Sequence, residues 1–287
     1  MDHKYIETNG IRLHVVQSGP IEGPLVILLH GFPEFWYSWR RQIPFLANAD
    51  FRVWVPDQRG YNLSDKPEGI PAYTLDELAA DVIGLIDAAG KEKTFLIGHD
   101  WGAAVAWWVA AKYPDRIEKL VVMNVPHWAV WEKNLRGNFA QIRKSWYIFF
   151  FQIPWLPESL ARLRHWNYPV QILEKSSRSG AFNDNDLKQY RQAWSQPKAY
   201  RSMLNWYRAM IQKPSAPPNS MRITVPTLLI WGAKDGFLSR EMAQPSINHC
   251  DEGSLIFIEE ATHWVQHEEA ERVNKLIDSF LHDGEAN

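Results

Sequence analysis

Short runs of apolar residues, many of them β-branched, recur in the first 125 residues and return near the end of the chain. The runs are 12–16, 25–29, 52–55, 94–97, 120–123, 227–231 and 255–258. A continuous apolar run of this length is typical of a strand that is buried on both faces, whereas a half-exposed strand alternates apolar and polar residues. We therefore predict a strand in each run.

Helical periodicity fills the spaces between these strands. In 74–89 the apolar residues recur at helical spacing, and Asp76 and Glu77 occupy the first turn, where the helix dipole favours negative charge. A further helix is predicted for 268–281. Alternation of strands and helices predicts an α/β fold whose mostly parallel central sheet is flanked by helices.

The strand pattern stops near Pro126 and resumes at Pro226, and the residues between them are helical in pattern and rich in aromatic side chains. The proline-containing stretch 214–218 cannot continue a helix. We predict a core domain formed by 1–126 and 223–287, with a helical cap inserted at 127–222.

Composition narrows the classes of function. The net charge of −2 provides no long-range field to attract nucleic acid or anionic lipid. Cys250 is the only cysteine, so no intrachain disulfide can form. No apolar run approaches the roughly 20 residues of a membrane span, and no secretory signal is recognisable. We expect a cytoplasmic protein without a nucleic-acid partner or a membrane span.

The turn Gly98-His99-Asp100-Trp101-Gly102 follows one predicted strand and leads into a helix. As a bare pattern, Gly-x-Asp-x-Gly is a common turn. Between a buried strand and a helix, however, small residues on both sides of the central position permit a strained nucleophile elbow. Asp100 is therefore the candidate nucleophile, and the backbone N–H of Trp101 would point at developing negative charge.

A second turn, His30-Gly31-Phe32-Pro33, directly follows the predicted strand 25–29. Gly31 lets two backbone segments approach closely, and Pro33 rigidifies the turn. We predict that the N–H of Phe32 joins that of Trp101 in an oxyanion hole.

Two further candidates follow later strands. Asp235 comes after 227–231, and His263 comes after 255–258. A single loop aspartate or histidine is usually a solvated turn residue, but the order nucleophile, acid, histidine is the order of an α/β-hydrolase triad. We predict that Asp235 orients His263 and that His263 acts as a general base.

An aspartate nucleophile selects the chemistry. A carboxylate that attacks a saturated carbon leaves a hydrolysable ester, whereas a serine would leave an ether. Epoxide opening and halide displacement both remain possible, and only the epoxide oxygen needs a hydrogen donor such as a phenol. The predicted cap offers five phenols, and periodicity does not select among them: Tyr147, Tyr168, Tyr190, Tyr200 and Tyr207.

Over nearly its whole length the chain resembles the epoxide hydrolases of the α/β-hydrolase fold, especially the vertebrate soluble and membrane-associated soluble-like types and their bacterial relatives. The resemblance lies in 30–33, 98–102, 124–127, Trp231-Gly232 ahead of Asp235, and His263-Trp264. It implies that two cap tyrosines polarise the epoxide oxygen. The stretch Phe151-Gln152-Ile153-Pro154 then selects Tyr147, and Asn205-Trp206-Tyr207-Arg208 selects Tyr207.

The excess of Phe and Trp in the predicted cap favours a lipophilic or aryl epoxide as the substrate, and the expected reaction requires no cofactor and no metal. We expect the substrate pocket to include His30, Pro33, Trp36, Phe151 and Trp264. Haloalkane dehalogenases are also similar, but they commonly carry asparagine where Phe32 stands and lack the paired tyrosines. A non-catalytic ligand-binding member of the fold is the remaining alternative, and the aspartate disfavours a serine esterase.

Overall fold

Eight strands form a single sheet within residues 1–283, the part of the chain that the computed structural model describes. Their spatial order is β1-β2-β4-β3-β5-β6-β7-β8, and all neighbouring pairs are parallel except β1 with β2 and β2 with β4. The mostly parallel central sheet is therefore confirmed. The strands are β1 (Asp2–Thr8), β2 (Ile11–Ser18), β3 (Leu25–Leu29), β4 (Arg52–Pro56), β5 (Thr94–His99), β6 (Ile117–Met123), β7 (Thr227–Gly232) and β8 (Gly253–Ile258).

Both faces of the sheet are covered, which explains the continuous apolar runs. Along β3, Val26 and Leu28 belong to one core cluster, whereas Leu25, Ile27 and Leu29 belong to the other. Successive side chains of a strand point to opposite faces, so a strand between two helical layers must be apolar at every position. The helices are α1 (Gln42–Asn48) and α12 (Ala270–His282) on one face, and α2 (Leu75–Ala88) and α3 (Trp101–Lys112) on the other.

The strand β1 is an element that the apolar runs do not predict. It lies at the edge of the sheet and pairs only with β2, and six of its seven residues are exposed or partly exposed. Because little of β1 is buried, its residues carry no apolar run. The other edge strand, β8, is also partly exposed, yet it retains the apolar stretch 255–258.

Six α-helices lie between β6 and β7 in sequence, and α9 packs against the short helical turn Ile70–Tyr73. Residues 163–166 depart from helical geometry inside α7. Within residues 1–283, no helix is long and apolar enough to cross a membrane. The division at 127 and 222 stays a prediction. The helices are α4 (Trp128–Gly137), α5 (Phe139–Lys144), α6 (Trp146–Phe150), α7 (Leu156–Ser176), α8 (Asp184–Trp194) and α9 (Ala199–Gln212), followed after β7 by α10 (Ala243–Ile247) and α11 (Val265–Glu268).

Candidate active site

Asp100 occupies a strained backbone position between β5 and α3. Its φ is 49° and its ψ is −124°, outside the regions that L residues ordinarily adopt. A Cβ on Gly102 would lie 2.1 Å from the carbonyl oxygen of Leu29, and a Cβ on Gly31 would lie 2.2 Å from the Cβ of Asp100. Only glycine therefore lets β3 and the elbow approach so closely.

The backbone of the β3 turn holds one oxygen of the Asp100 carboxylate. The Phe32 N–H donates to Asp100 Oδ1 at 2.6 Å. Trp101 is the first residue of α3, so its N–H belongs to the unpaired donors at the positive end of the helix dipole. Phe32 and Trp101 thus lie beside the carboxylate that they are predicted to serve.

The structure brings Asp235 and His263 together with Asp100. His263 Nδ1 lies 2.7 Å from Asp235 Oδ2, and His263 Nε2 lies 3.4 Å from Asp100 Oδ2. Burial alone would lower the pKa of His263, but the charges of Asp235 and Asp100 outweigh it and raise that pKa to about 10. At neutral pH the imidazole is therefore protonated.

Asp235 is itself fixed by donors on every side. Its Oδ1 accepts from the N–H groups of Phe237 at 2.7 Å and Leu238 at 2.9 Å, and its Oδ2 accepts from Asn124 Nδ2 at 2.8 Å. Burial would raise the pKa of this carboxyl, but His263 and these donors hold it below its ordinary value. The carboxylate therefore remains charged and oriented.

Asn124 is a site residue to which the sequence reasoning assigned no role. It directly follows β6, has a φ of +53°, and is fully buried. Its Oδ1 accepts from the Gly232 N–H at 3.0 Å while its Nδ2 donates to Asp235. Asn124 therefore ties the end of β6 to the turn that carries Asp235. The sequence feature that could have identified Asn124 is its position directly after a strand of the parallel sheet, where functional side chains converge.

A second buried carboxylate, Glu34, lies beneath the site. Its Oε1 accepts from the Tyr190 hydroxyl at 2.7 Å and lies 2.7 Å from His267 Nε2, while Gln266 Nε2 donates to Oε2 at 3.2 Å. His99 Nδ1 lies 3.4 Å from the same carboxylate, and His99 Nε2 donates to the carbonyl of His263 at 2.8 Å. Burial opposes the charge, yet the two imidazoles hold the pKa of Glu34 well below its ordinary value.

A cavity of about 910 Å³ opens above the Asp100 carboxylate. Pro33, Phe151 and Trp264 line it, together with Phe32 and His263. Most of the exposed lining is apolar. Among residues 1–283, no group of three or more His, Cys, Asp or Glu side chains is arranged to hold a metal ion.

His30 and Trp36 do not line this cavity, which corrects two predicted pocket residues. The His30 side chain is fully buried below the turn, where its Nε2 accepts from the Gln58 N–H at 3.1 Å. The Trp36 ring lies against His3 of β1, with ring centroids 5.3 Å apart. His30 begins the turn 30–33 and Trp36 follows it in sequence, but both side chains point away from the cavity.

Tyr147 and Tyr207 meet over Asp100. Their ring centroids are 6.0 Å apart, and the Tyr207 ring packs edge-on against Trp101 and Phe32. Neither hydroxyl donates a hydrogen bond to any residue in the described range 1–283. Burial first, and then the charge of Asp100, raises the pKa of both phenols, so both remain protonated donors at neutral pH.

The other three tyrosines are placed differently. The Tyr190 hydroxyl is engaged by Glu34, outside the cavity. Tyr168 and Tyr200 line the large cavity, but neither lines the smaller neighbouring space that Asp100, Tyr147 and Tyr207 also border. Tyr147 and Tyr207 are therefore the cap phenols that the structure groups most closely with Asp100.

A second, smaller space of about 70 Å³ lies on the other side of the two tyrosines. Asp100, Tyr147 and Tyr207 line both spaces, so the two meet at these three residues. Indole and thioether side chains form much of the smaller space, which sequence reasoning did not identify. They are Trp107, Trp128, Trp131 and Met210.

Comparison with known proteins places this geometry in context. Residues 24–270 match the family described as alpha/beta hydrolase fold. The chain is 47% identical over 278 residues to the AB hydrolase superfamily protein YfhM of Bacillus subtilis, covering 97% of each chain. It is 39% identical to Epoxide hydrolase 4 of Homo sapiens, covering 96% of this chain and 77% of the human protein.

Solved structures give the same relationship. The crystal structure of an epoxide hydrolase from Bacillus megaterium in complex with an inhibitor superposes with a TM-score of 0.90 at 30% identity. The match covers 98% of this chain and 100% of the Bacillus megaterium chain.

Proposed function

Since the chain belongs to the alpha/beta hydrolase fold family and, within it, to the epoxide hydrolases, we propose that it converts epoxides to diols through an ester on Asp100. In this proposal Tyr147 and Tyr207 activate the epoxide oxygen, and His263 with Asp235 activates water. The chain supplies every group that these steps need.

One observation carries the proposal. A carboxylate, the partly buried Tyr147 and the buried Tyr207 line the same junction between two apolar spaces, and neither phenol donates its O–H within residues 1–283. An epoxide oxygen leaves as a basic alkoxide, so it needs donors opposite the attacking carboxylate. Halide displacement needs no such donors, and the paired phenols therefore favour ring opening.

In the first step, Asp100 Oδ2 attacks an epoxide carbon, because Oδ1 is already held by the Phe32 N–H. The C–O bond of the ring breaks as the new ester bond forms, and the alkoxide takes a proton from Tyr147 or Tyr207. The tyrosine is left as a phenolate, and the protonated His263 gives its proton to that phenolate. The step ends with a neutral ester and a neutral imidazole.

In the second step, water attacks Cγ of the esterified Asp100 and gives a proton to His263. Negative charge develops on Oδ1, which already accepts from the Phe32 N–H, and in this proposal the Trp101 N–H at the start of α3 is the second donor. Collapse of this intermediate breaks the bond to the diol oxygen, and His263 protonates that oxygen. The carboxyl of Asp100 then loses its proton to His263, which restores the resting pair.

The two spaces define the substrate class. A reacting carbon at Asp100 directs one substituent into about 910 Å³ and the other into about 70 Å³. The smaller space is much the more confined of the two, so it takes the smaller of the two substituents. The substrate is therefore an unsymmetrical epoxide with one large lipophilic or aryl group and one small substituent.

Tyr207→Phe, Tyr147→Phe and the matched control Tyr200→Phe test the phenols. Each of the first two should lower kcat/KM for an aryl epoxide by about 10² or more, because a positioned acid is lost. Tyr200 lines the large cavity without reaching the junction, so its replacement should change the rate by only a few-fold. Equal rates for wild type and Tyr207→Phe would remove Tyr207 from the mechanism.

Halide displacement is tested with the same proteins. Release of bromide from a bromoalkane, without diol formation from any aryl epoxide, would replace the proposal with a dehalogenase. Tight ligand binding without turnover of either compound would assign the chain to a non-catalytic role.

A further inference from the structure

The cap segment 139–168, here called the cap apron, exposes an unusual share of the apolar surface. Of the fourteen large apolar side chains that are exposed within residues 1–283, nine lie in these thirty positions. The most exposed are Phe139 at 82% and Trp155 at 72%, followed by Leu163, Trp146 and Phe149. Single exposed apolar residues are ordinary, but such a concentration marks an interaction surface.

The charges of the cap apron have one sign at its surface. It contains the cations Arg143, Lys144, Arg162 and Arg164, of which none forms an ion pair with a residue in 1–283. Its only acid, Glu158, is buried and pairs with Arg208 at 2.7 Å. The whole chain carries 31 cations and 33 acids, so the apron is locally cationic on a slightly anionic protein.

The exposed groups are presented by a fixed backbone. Arg208 Nε donates to the carbonyl of Phe151 at 2.9 Å, and Arg208 Nη2 donates to that of Ile153 at 3.0 Å, while Nη1 holds Glu158. Trp155 has a φ of +59°, which is unfavourable for a bulky residue, and its ring packs little within the chain. The segment is therefore held from inside while its aromatic side chains face outward.

The apron also reaches the entrance to the active site. Phe139, Trp146 and Tyr168 are exposed, yet they line the large cavity, and so do Arg143 and Lys144. A surface that binds the apron would therefore adjoin the entrance to the cavity over Asp100.

We propose that the cap apron binds the surface of a lipid bilayer that carries anionic headgroups, so that lipophilic substrates pass from the bilayer into the cavity. Aromatic side chains among cations are the composition of an interfacial membrane contact. Charge also argues against a second copy as the occupant, because a two-fold contact would place like-charged aprons against each other. The low net charge excludes only a long-range field, whereas these four cations act within about 10 Å of the surface.

Vesicle co-sedimentation of the full chain tests the proposal. Wild type should bind vesicles of equimolar phosphatidylcholine and phosphatidylglycerol, bind phosphatidylcholine alone at least about tenfold more weakly, and be released by salt. Trp155→Ser with Phe149→Ser should weaken binding by about tenfold or more. The matched control, Ile21→Ser with Leu63→Ser, removes exposed apolar groups elsewhere and should bind like wild type.

Two double variants that remove cations separate the contribution of charge from that of the apolar side chains. Arg162→Gln with Arg164→Gln should reduce binding to the anionic vesicles, whereas Lys4→Gln with Lys275→Gln should not. The variant Trp155→Ser with Phe149→Ser should turn over a water-soluble epoxide at the wild-type rate, which would show that the variant folds. Vesicle binding is measured without any epoxide, so its result does not depend on the proposed reaction. The proposal would be overturned if wild type did not bind vesicles, or if it bound neutral and anionic vesicles equally. It would also be overturned if wild type were a dimer in solution that these substitutions dissociate.

Discussion

Removal of the Asp100 carboxylate should lower the pKa of His263. The two carboxylates nearest the imidazole lie 2.7 Å from Nδ1, in Asp235, and 3.4 Å from Nε2, in Asp100. An opposite charge at such a distance shifts a pKa by about 1 to 3 units. From a starting value of about 10, Asp100→Ala should therefore place the pKa of His263 at about 7 to 9.

The size of this shift matters for the proposed cycle because ester formation removes the same charge. While Asp100 is ionised, His263 holds its proton and can resupply a phenol. Once Asp100 is esterified, the imidazole can accept a proton from water near neutral pH. A single charge change would then convert His263 from an acid into a base.

Imidazole NMR titration of the ¹⁵N-labelled protein measures this shift directly, with His263→Gln used to assign the resonance. Asp251→Asn is the matched control, because it removes an exposed carboxylate that pairs with Arg222 instead. Identical pKa values for His263 in wild type and Asp100→Ala would refute the proposed switch.

Three further results are expected. Asn124→Ala should destabilise the protein by about 2–4 kcal/mol, because it removes a hydrogen bond to the charged Asp235 and a neutral one from Gly232. It should also slow ester hydrolysis more than ester formation. The exposed control Asn248→Ala should change stability by less than about 0.5 kcal/mol. Urea unfolding and single-turnover kinetics measure both effects, and an unchanged hydrolysis step would contradict the role given to Asn124. Glu34→Ala should cost about 3–5 kcal/mol in urea unfolding because it leaves buried donors unpaired, unlike the exposed control Glu259→Ala, and equal stabilities would contradict the structure. Folding raises the pKa of His263, so the stability that its protonated form adds to the folded protein is complete below about pH 6.5 and is lost as the pH rises toward 10. Relative to His263→Gln, wild type should lose about 1.4 kcal/mol of unfolding free energy per unit of pKa shift over that pH range. Parallel curves of stability against pH for the two proteins would argue against the shift.

The core of the fold could be predicted because its strands are buried on both faces. Continuous apolar runs marked β2 to β8, and the strand ends then indicated where Asp100, Asp235 and His263 would meet. The edge strand β1 left no such run, since most of its residues contact solvent. The sheet places β4 between β2 and β3, so its order differs from the order of the strands along the chain. The apolar pattern of a strand does not indicate which strands are its neighbours.

Side-chain direction limited the prediction of the site. His30 directly follows β3, two residues before Phe32, but its ring turns inward to Gln58, and the Trp36 ring turns toward β1. Tyr147 and Tyr207 are sixty positions apart in sequence, so local patterns could not pair them, and only the family resemblance selected both. The sequence did not indicate a role for Asn124, because its two hydrogen-bond partners lie about 110 residues away.

The most direct test of the Asp100 ester is the intact mass of His263→Gln after incubation with an aryl epoxide and, separately, with a bromoalkane. Without its base, this variant should form the ester but hydrolyse it too slowly to release the diol. We expect a mass gain equal to the whole epoxide, mapped to the peptide that contains Asp100 and absent when Asp100→Ala is added. An adduct on another residue, no adduct at all, or an adduct from the bromoalkane alone that lacks bromine would contradict epoxide opening by Asp100.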